Sequence, residues 1–398
     1  MNVRLQTTIL PAATASEGEA ASGAVPEASP AEVRGMREAL RLARCGVPGT
    51  HPNPRVGAVV LRRGEVVGAG YHERAGEAHA EVRAIESAGG DARGAVLVAT
   101  LEPCAHFGRT PPCVDAILAA GVRRVVIGMR DPNPLVNGKG VRLLRDAGLD
   151  VVEGVLESEC RALNPAYLKH LATGFPFVLL KSMISLDGRT GSENGESRGL
   201  GSRAEVRRVH RLRAEHDAVL VGIGTVLADD PELTVRHARG PNPLRVVLDS
   251  KLRIPLHSRL LATADRARLL VATAADDRSR IDAIKAAGAR VWRFEPEADG
   301  RVPLAPLLRR LAAEGALSIL VEGGAIVHSA FLRAGLADRI ALGIAPVLLG
   351  GPGGTVWTRD LGRASLGEGI PVQSLRVRRL GPDLWIEGDL PFGSAVRV

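Results

Sequence analysis

Three side chains able to grip a metal ion come in a telling order. His79 opens His79-Ala80-Glu81, Cys104 closes Glu102-Pro103-Cys104, and Cys113 follows after eight intervening residues. One imidazole and two thiolates are a ligand set for zinc with a fourth position left open. Two thiolates and a neutral imidazole balance the dication, and a water in the open position can then ionise near neutral pH. Glu81 keeps its carboxylate free, two residues from a ligand, where it can carry a proton from that water to a leaving amine. Buried cysteines and chance His-x-Glu pairs supply the same pieces in many proteins. The order, the gap from His79 to Cys104 and a strand–turn–helix setting argue for a site. Cys45 and Cys160 lie on helical patterns and read as small core residues.

The elements that must position these groups are legible as alternating apolar runs and helical periods. Strands are predicted at Val56–Leu61, Val66–Tyr71, Ala95–Thr100, Arg124–Met129 and Val151–Val155, and helices at 32–45, Ala80–Ser87, Val114–Ala120 and Val141–Ala147. Gly121 and Gly148 stand where helix C-terminal glycines belong. This alternation predicts a three-layer α/β domain. A helix over 157–173 ends at Gly174, and Phe175-Pro176-Phe177 is the joint to a second α/β series. Its strands are expected at 177–183, 218–222, 245–249, 269–273, 290–294, 318–321 and 339–346, its helices at 203–214, 278–287, 303–313 and 325–334. An antiparallel pair, 374–380 and 384–389, closes it. The expected domains are thus 32–174 and 175–392.

The order His-x-Glu then Pro-Cys is the logic of the zinc nucleobase deaminases, except that eight residues rather than two separate the cysteines. The inserted loop carries a closer likeness. Thr100-Leu101-Glu102-Pro103-Cys104-Ala105-His106-Phe107-Gly108-Arg109-Thr110-Pro111-Pro112-Cys113 closely resembles the pyrimidine deaminase domain of a bifunctional riboflavin-biosynthesis family. That family fuses a diaminohydroxyphosphoribosylaminopyrimidine deaminase to a 5-amino-6-(5-phosphoribosylamino)uracil reductase. His51-Pro52-Asn53-Pro54, Gly70-Tyr71-His72, and Asp131-Pro132-Asn133-Pro134 through Asn137-Gly138-Lys139-Gly140 agree with it. The resemblance implies a cytidine-deaminase-like first domain in which His79, Cys104 and Cys113 hold zinc and Glu81 shuttles protons. It implies a pyrimidine pocket of Asn53, His72, His106, Asp131 and Asn133, with Arg109 and Lys139 on the substrate phosphate. Each of these loop residues could instead bond its own backbone, as Asn and Asp beside proline often do.

The second half lacks a G-x-G-x-x-G run; Gly222-Ile223-Gly224 is short of the third glycine. Ile319 through Gly324 ahead of a helix is a better anion site, since free N–H groups and the helix dipole meet there. Gly350-Gly351-Pro352-Gly353-Gly354 reads as a turn. Lys181 with Ser185-Leu186-Asp187-Gly188-Arg189-Thr190, Gly195-Glu196-Ser197, Gly224 through Arg236, Val321-Glu322-Gly323-Gly324 and Ala345 through Gly350 resemble the family's reductase half. The resemblance covers about 32–390. It implies a dihydrofolate-reductase-like fold that uses NADPH. By position, Met183, Gly199, Thr225, Asp229, Ser250 and the turn Gly324, Ala325, Ile326, Val327, His328, Ser329, Ala330 would meet the cofactor. Ser197, Arg213, Leu233, Arg236 and Glu322 would meet the ribosyl phosphate, and Lys181 and Glu322 would polarise or protonate the sugar. One departure stands out: the family's aromatic and hydroxyl residues are here Gly199 and Gly201. A looser loop and a weaker, still active reductase are expected.

The 398 residues suggest two or three domains, and four cysteines exclude a disulfide scaffold. No apolar run approaches the roughly 20 residues that span a bilayer. The first 31 residues are too rich in Ala, Ser, Glu, Gly and Pro to bury a core and are expected to be disordered, with no signal peptide; Met36 stands close to a functional start. Net charge is +8, but the basic residues are almost all scattered arginines, and aromatics are 3%. That argues for anionic small molecules over nucleic acid. Expected partners are a phosphorylated pyrimidine and further copies of the chain, in the cytoplasm, with neither nucleic acid nor membrane. Two other readings compete. One is a deaminase of nucleic-acid bases with a binding module behind it. The other is a structural zinc closed by His72 or His106.

Overall fold

A computed structural model describes residues 27–46, 50, 52–108, 110–194, 199–351 and 355–391. The expected disordered extension 1–31 lies mostly outside these residues, as do Arg109 and Ser197.

The first domain is built on five strands: β1 (Gly57–Arg62), β2 (Glu65–Tyr71), β3 (Val96–Ala99), β4 (Arg124–Ile127) and β5 (Asp150–Val152). They lie in the order β2-β1-β3-β4-β5, with β1 antiparallel to both neighbours and β3, β4 and β5 parallel. The helices are α1 (Pro30–Ala43), α2 (Ala80–Ala88), α3 (Cys113–Ala120), α4 (Lys139–Asp146), α5 (Glu157–Leu163) and α6 (Pro165–Thr173). Strand alternation makes three layers. Gly57, Val59 and Leu61 face α1, whereas Gly68 and Gly70, paired with Val60 and Ala58, face α2. Ser29 starts α1 with a capping box, its hydroxyl accepting the Glu32 N–H while Glu32 accepts the Ser29 N–H.

Two expectations need correction here. The helix read over 157–173 is two helices, because Pro165 has no N–H to donate and pushes Asn164 out of the helical region (φ −122°, ψ 45°). The amide of Asn164 instead brackets Arg55, accepting its N–H at 2.8 Å and donating to its carbonyl at 2.9 Å. Cys45 is exposed on a 3-10 turn rather than in the core; Cys160 is buried as expected.

The second domain carries β6 (Phe177–Ser185), β7 (Ala218–Gly222), β8 (Leu244–Leu248), β9 (Leu269–Thr273), β10 (Arg290–Arg293), β11 (Ser318–Val321), β12 (Arg339–Ala345), β13 (Gln373–Leu380) and β14 (Asp383–Asp389). Their order is β10-β9-β8-β7-β11-β6-β12-β14-β13; only the pairings of β14 are antiparallel. Between them lie α7 (Arg203–Glu215), α8 (Ile223–Asp229), α9 (Arg259–Ala262), α10 (Arg278–Ala286), α11 (Leu304–Ala313) and α12 (Ala325–Arg333). Parallel strands covered on both faces read as continuous apolar runs. Leu180, Leu220, Val246 and Leu270 pack against α11 and α12, while Leu179, Val221, Val247 and Val271 pack with residues of α7, α8 and α10. The short α8 and α9 escaped the sequence reading, since the glycines at 222 and 224 argue against a helix. The domains touch through Lys169 on α6, whose Nζ donates to the buried Asp338 carboxylate at 2.5 Å, and Asp338 also accepts the Val178 N–H at 2.7 Å. Among the described residues, no helix is long and apolar enough to cross a membrane.

Candidate active sites

The first site forms where two helix N-termini meet the end of β3. His79 caps α2, Cys113 begins α3, and Cys104 follows β3. His79 Nδ1 stands 3.1 Å from Cys113 Sγ and 3.5 Å from Cys104 Sγ. The three donor atoms all lie within 4.8 Å of one another, and among the described residues the cluster has these three members. That donor set fits zinc. Cys104 Sγ also accepts the Cys113 N–H at 3.3 Å. A hydrogen bond from Cys113 holds the Cys104 thiol down to about 4, and the same bond, with burial, pushes Cys113 up. On the far side of the ring, His79 Nε2 lies 3.4 Å from Thr110 Oγ1, which sets the imidazole's orientation.

Glu81 lies in the first turn of α2, 3% exposed. Burial raises its carboxyl to about 7, the range suited to giving and taking protons at neutral pH. His72 crosses the His79 ring edge-on at 5.2 Å between centroids, bonds Asn53 Nδ2 through Nε2 at 3.1 Å, and meets the Ala78 carbonyl through Nδ1. Both of its nitrogens are engaged, so it is not a fourth ligand. His106 Nδ1 is buried without a hydrogen-bond partner among the described residues. Asp131 is buried and accepts the Tyr167 hydroxyl at 2.8 Å and the Asn133 N–H at 2.9 Å. Asn133 Oδ1 accepts the Leu135 N–H, the local turn that asparagine beside proline favours. Lys139 is exposed at the start of α4.

Sequence reasoning missed the residue that organises this loop. Glu102, 3% exposed, accepts four backbone N–H groups: Gly138 and Gly140 at 3.0 Å, Asp131 at 3.2 Å and Val141 at 3.3 Å. Gly140 lets α4 close on it, because a β-carbon there would sit 2.1 Å from the Pro103 carbonyl oxygen. No motif announces such a role. Glu102→Ala leaves those donors buried and unpaired, each costing about 1–3 kcal/mol, so destabilisation of roughly 3 kcal/mol or more is expected. Thermal melting of the full chain, with ammonia release as second readout, checks this; an unchanged melting profile refutes it.

The second site is a cavity of about 1490 Å³ at the carboxyl ends of the parallel strands, where open α/β sheets bind ligands. Lys181, Met183, Thr225, Asp229, Ser250 and Glu322 line it, as does the Gly324–Ala330 turn apart from Ser329. Gly323-Gly324 leads into α12, so free N–H groups face the cavity as an anion cradle. The size and this cradle fit NADPH.

Arg213 is 9% exposed and forks onto Glu322, Nε to Oε1 at 2.7 Å and Nη2 to Oε2 at 2.8 Å, with Nη1 on the Thr234 carbonyl. Its fork therefore holds Glu322. Arg236 donates to Glu232 and Thr234 Oγ1, and its side chain is 42% exposed. The Leu233 side chain is packed in the core at 2% exposure, and the Ser329 hydroxyl accepts the Arg359 N–H at 2.7 Å, so neither side chain lines the cavity. Gly199 does not line the cavity and adopts φ +82°, where an aromatic would be strained. The space beside Gly201 is filled by Glu205, so that position is not the slack point expected.

Comparison with known proteins matches both halves. Residues 31–129 match the cytidine and deoxycytidylate deaminase zinc-binding region, and residues 176–386 match the RibD C-terminal domain. The riboflavin biosynthesis protein RibD of Escherichia coli (strain K12) is 42% identical over 363 residues, covering 88% of this chain and 96% of its own. That of Bacillus amyloliquefaciens is 41% identical over 350 residues, covering 88% and 94%. Among solved structures, Acinetobacter baumannii RibD superposes with a TM-score of 0.81 at 36% identity, covering 90% of this chain and 99% of that one. With a convergent zinc ligand set in one half, a cofactor-sized cavity in the other and relatives matched across both, the chain belongs to the RibD family of bifunctional riboflavin-biosynthesis enzymes, a zinc-dependent deaminase joined to an NADPH-dependent reductase.

Proposed function

We propose that residues 32–174 deaminate 2,5-diamino-6-(5-phosphoribosylamino)pyrimidin-4(3H)-one and that residues 175–392 reduce the ribosyl chain of the product, 5-amino-6-(5-phosphoribosylamino)uracil, to ribityl. A Thermotoga maritima structure bearing this pair of activities in its name superposes with a TM-score of 0.78 at 35% identity, covering 90% of this chain and 99% of that one. The observation that carries the reading is the convergence of His79, Cys104 and Cys113 beside the buried Glu81.

His79, Cys104 and Cys113 would hold zinc, which when bound would supply a Lewis acid that activates water at neutral pH. Glu81 takes protons from the water as its oxygen adds to the amine-bearing C2 and passes one to the ring nitrogen and one to the departing amine, so ammonia leaves and a carbonyl remains. Asn53, His72, His106, Asp131 and Asn133 surround the ring, and Arg109 and Lys139 take the phosphate. NADPH, when bound, supplies two electrons as hydride for C1′. Thr225, Asp229, Ser250 and the Gly324 turn orient that cofactor. Lys181 holds a proton for the sugar oxygen, Glu322 orients the ribosyl chain from its seat on Arg213, and Arg236 with Ser197 meets the phosphate. A small phosphorylated pyrimidine is the partner, in the cytoplasm, without nucleic acid or membrane. The edge strand β13, whose Leu375 and Val377 are exposed, supports a homo-oligomer.

Incubation with the diaminopyrimidinone ribosyl phosphate tests this by mass analysis. Without NADPH the product has exchanged an amine for oxygen; with NADPH it has also gained a hydrogen pair. An unaltered substrate, or steeply salt-dependent binding to tRNA or single-stranded DNA, overturns it.

A further inference from the structure

Lys181 has a partner outside the residues so far assigned. Its Nζ stands 2.6 Å from Oε1 of Glu205, with the two side chains 11% and 6% exposed. The two form a buried ion pair, so Glu205 acts on Lys181 through charge. Glu205 belongs to the first turn of α7, where Ser202 accepts its backbone N–H. Its side chain turns back under the loop at 199–201. A β-carbon on Gly201 would lie 2.5 Å from Glu205 Oε2 and 3.0 Å from the carboxyl carbon. On the other side, a β-carbon on Gly343 of β12 would lie 3.5 Å from Glu205 Cγ. The carboxylate thus occupies the space that a side chain at position 201 would take, and a larger residue there would displace it.

The charges around it alternate. Lys181 also feels Glu322, and Arg213 feels both Glu322 and Glu205. Lys181 forms no ion pair with Glu322, whose two oxygens are both held by Arg213. Without Glu205, the charge of Glu322 would still act on the ammonium and draw it that way.

The geometry assigns Glu205 as a positioning residue for the reductase: it holds the Lys181 ammonium clear of Glu322, and Gly201 is the gap that admits it. This rests on the reading of Lys181 as the proton-holding group of the second site. The test uses the full-length chain with the deaminated substrate and NADPH. Glu205→Gln should lower reductase kcat about 10²-fold, the scale of a side chain misplaced by about 1 Å. KM for NADPH should stay within about threefold, since uniform binding is untouched. Gly201→Ser, which displaces the carboxylate without removing it, should give the same kcat loss and add nothing in the Glu205→Gln background, the non-additivity of one shared interaction. Ammonia release by the first domain of each variant should be unchanged. A Glu205→Gln kcat within about twofold of the parent chain, or losses that add, overturns the proposal when Lys181→Met has lost turnover. Normal turnover by Lys181→Met instead overturns the reading of Lys181, and the proposal with it.

Discussion

Glu81→Gln lowers ammonia release by about 10²–10⁴-fold while zinc stays bound and the reductase keeps running. The amide preserves the volume of a side chain buried at the head of α2 and leaves His79, Cys104 and Cys113 untouched. It removes the carboxyl beside the three ligands that can accept a proton and return it. Burial has already raised the carboxyl to about 7, so the native side chain exchanges protons readily at neutral pH; the amide exchanges none. General acid–base groups contribute about 10²–10⁴-fold, and a fall of that size is expected. Metal content by atomic absorption, ammonia release on the diamino substrate, and NADPH oxidation on the deaminated substrate separate the three properties. Deamination at the parent rate would show that another group moves the proton.

Cys104→Ala empties the first site of zinc and takes deamination to background. The change removes one of three ligands and also the sulfur that accepts the Cys113 N–H at the start of α3. Because binding to the folded state alone adds to its stability, loss of the metal should also lower the melting temperature of the first domain. Chelation of the parent chain should reproduce both effects, and added zinc should reverse them in the parent alone. The reductase, built on a separate nine-stranded sheet, should retain its turnover. Full deaminase activity in a zinc-free chain would refute the ligand assignment.

The second domain contributes its own lesson about substitution. Glycine at 199 and 201 looks like lost contact when only the chain is read. The structure shows a left-handed backbone at one position and a neighbour's carboxylate filling the other. A missing side chain is a void only if nothing else has moved in, and what moves in depends on residues distant along the chain.

Local pattern was enough for the sheet strands, for Glu81 beside its metal ligand and for the order of zinc ligands. Strand alternation, helix period and turn chemistry act over a few residues, so they are written where they act. Helix 157–173 was the one long element misjudged, and its flaw, Pro165, was in plain sight. Glu102 and Glu205 were not legible. Each is one more glutamate in a charged chain until folding brings it, respectively, four backbone N–H groups and a lysine from another strand. Nor was the pairing of Arg213 with Glu322, 109 residues further along the chain, legible. By itself the sequence determined the two α/β units, the His–Cys–Cys donor set, and the chemistry those donors permit. Only the tertiary structure decided which buried charges face each other, because pairing across distant segments has no local period and burial makes each pairing obligatory.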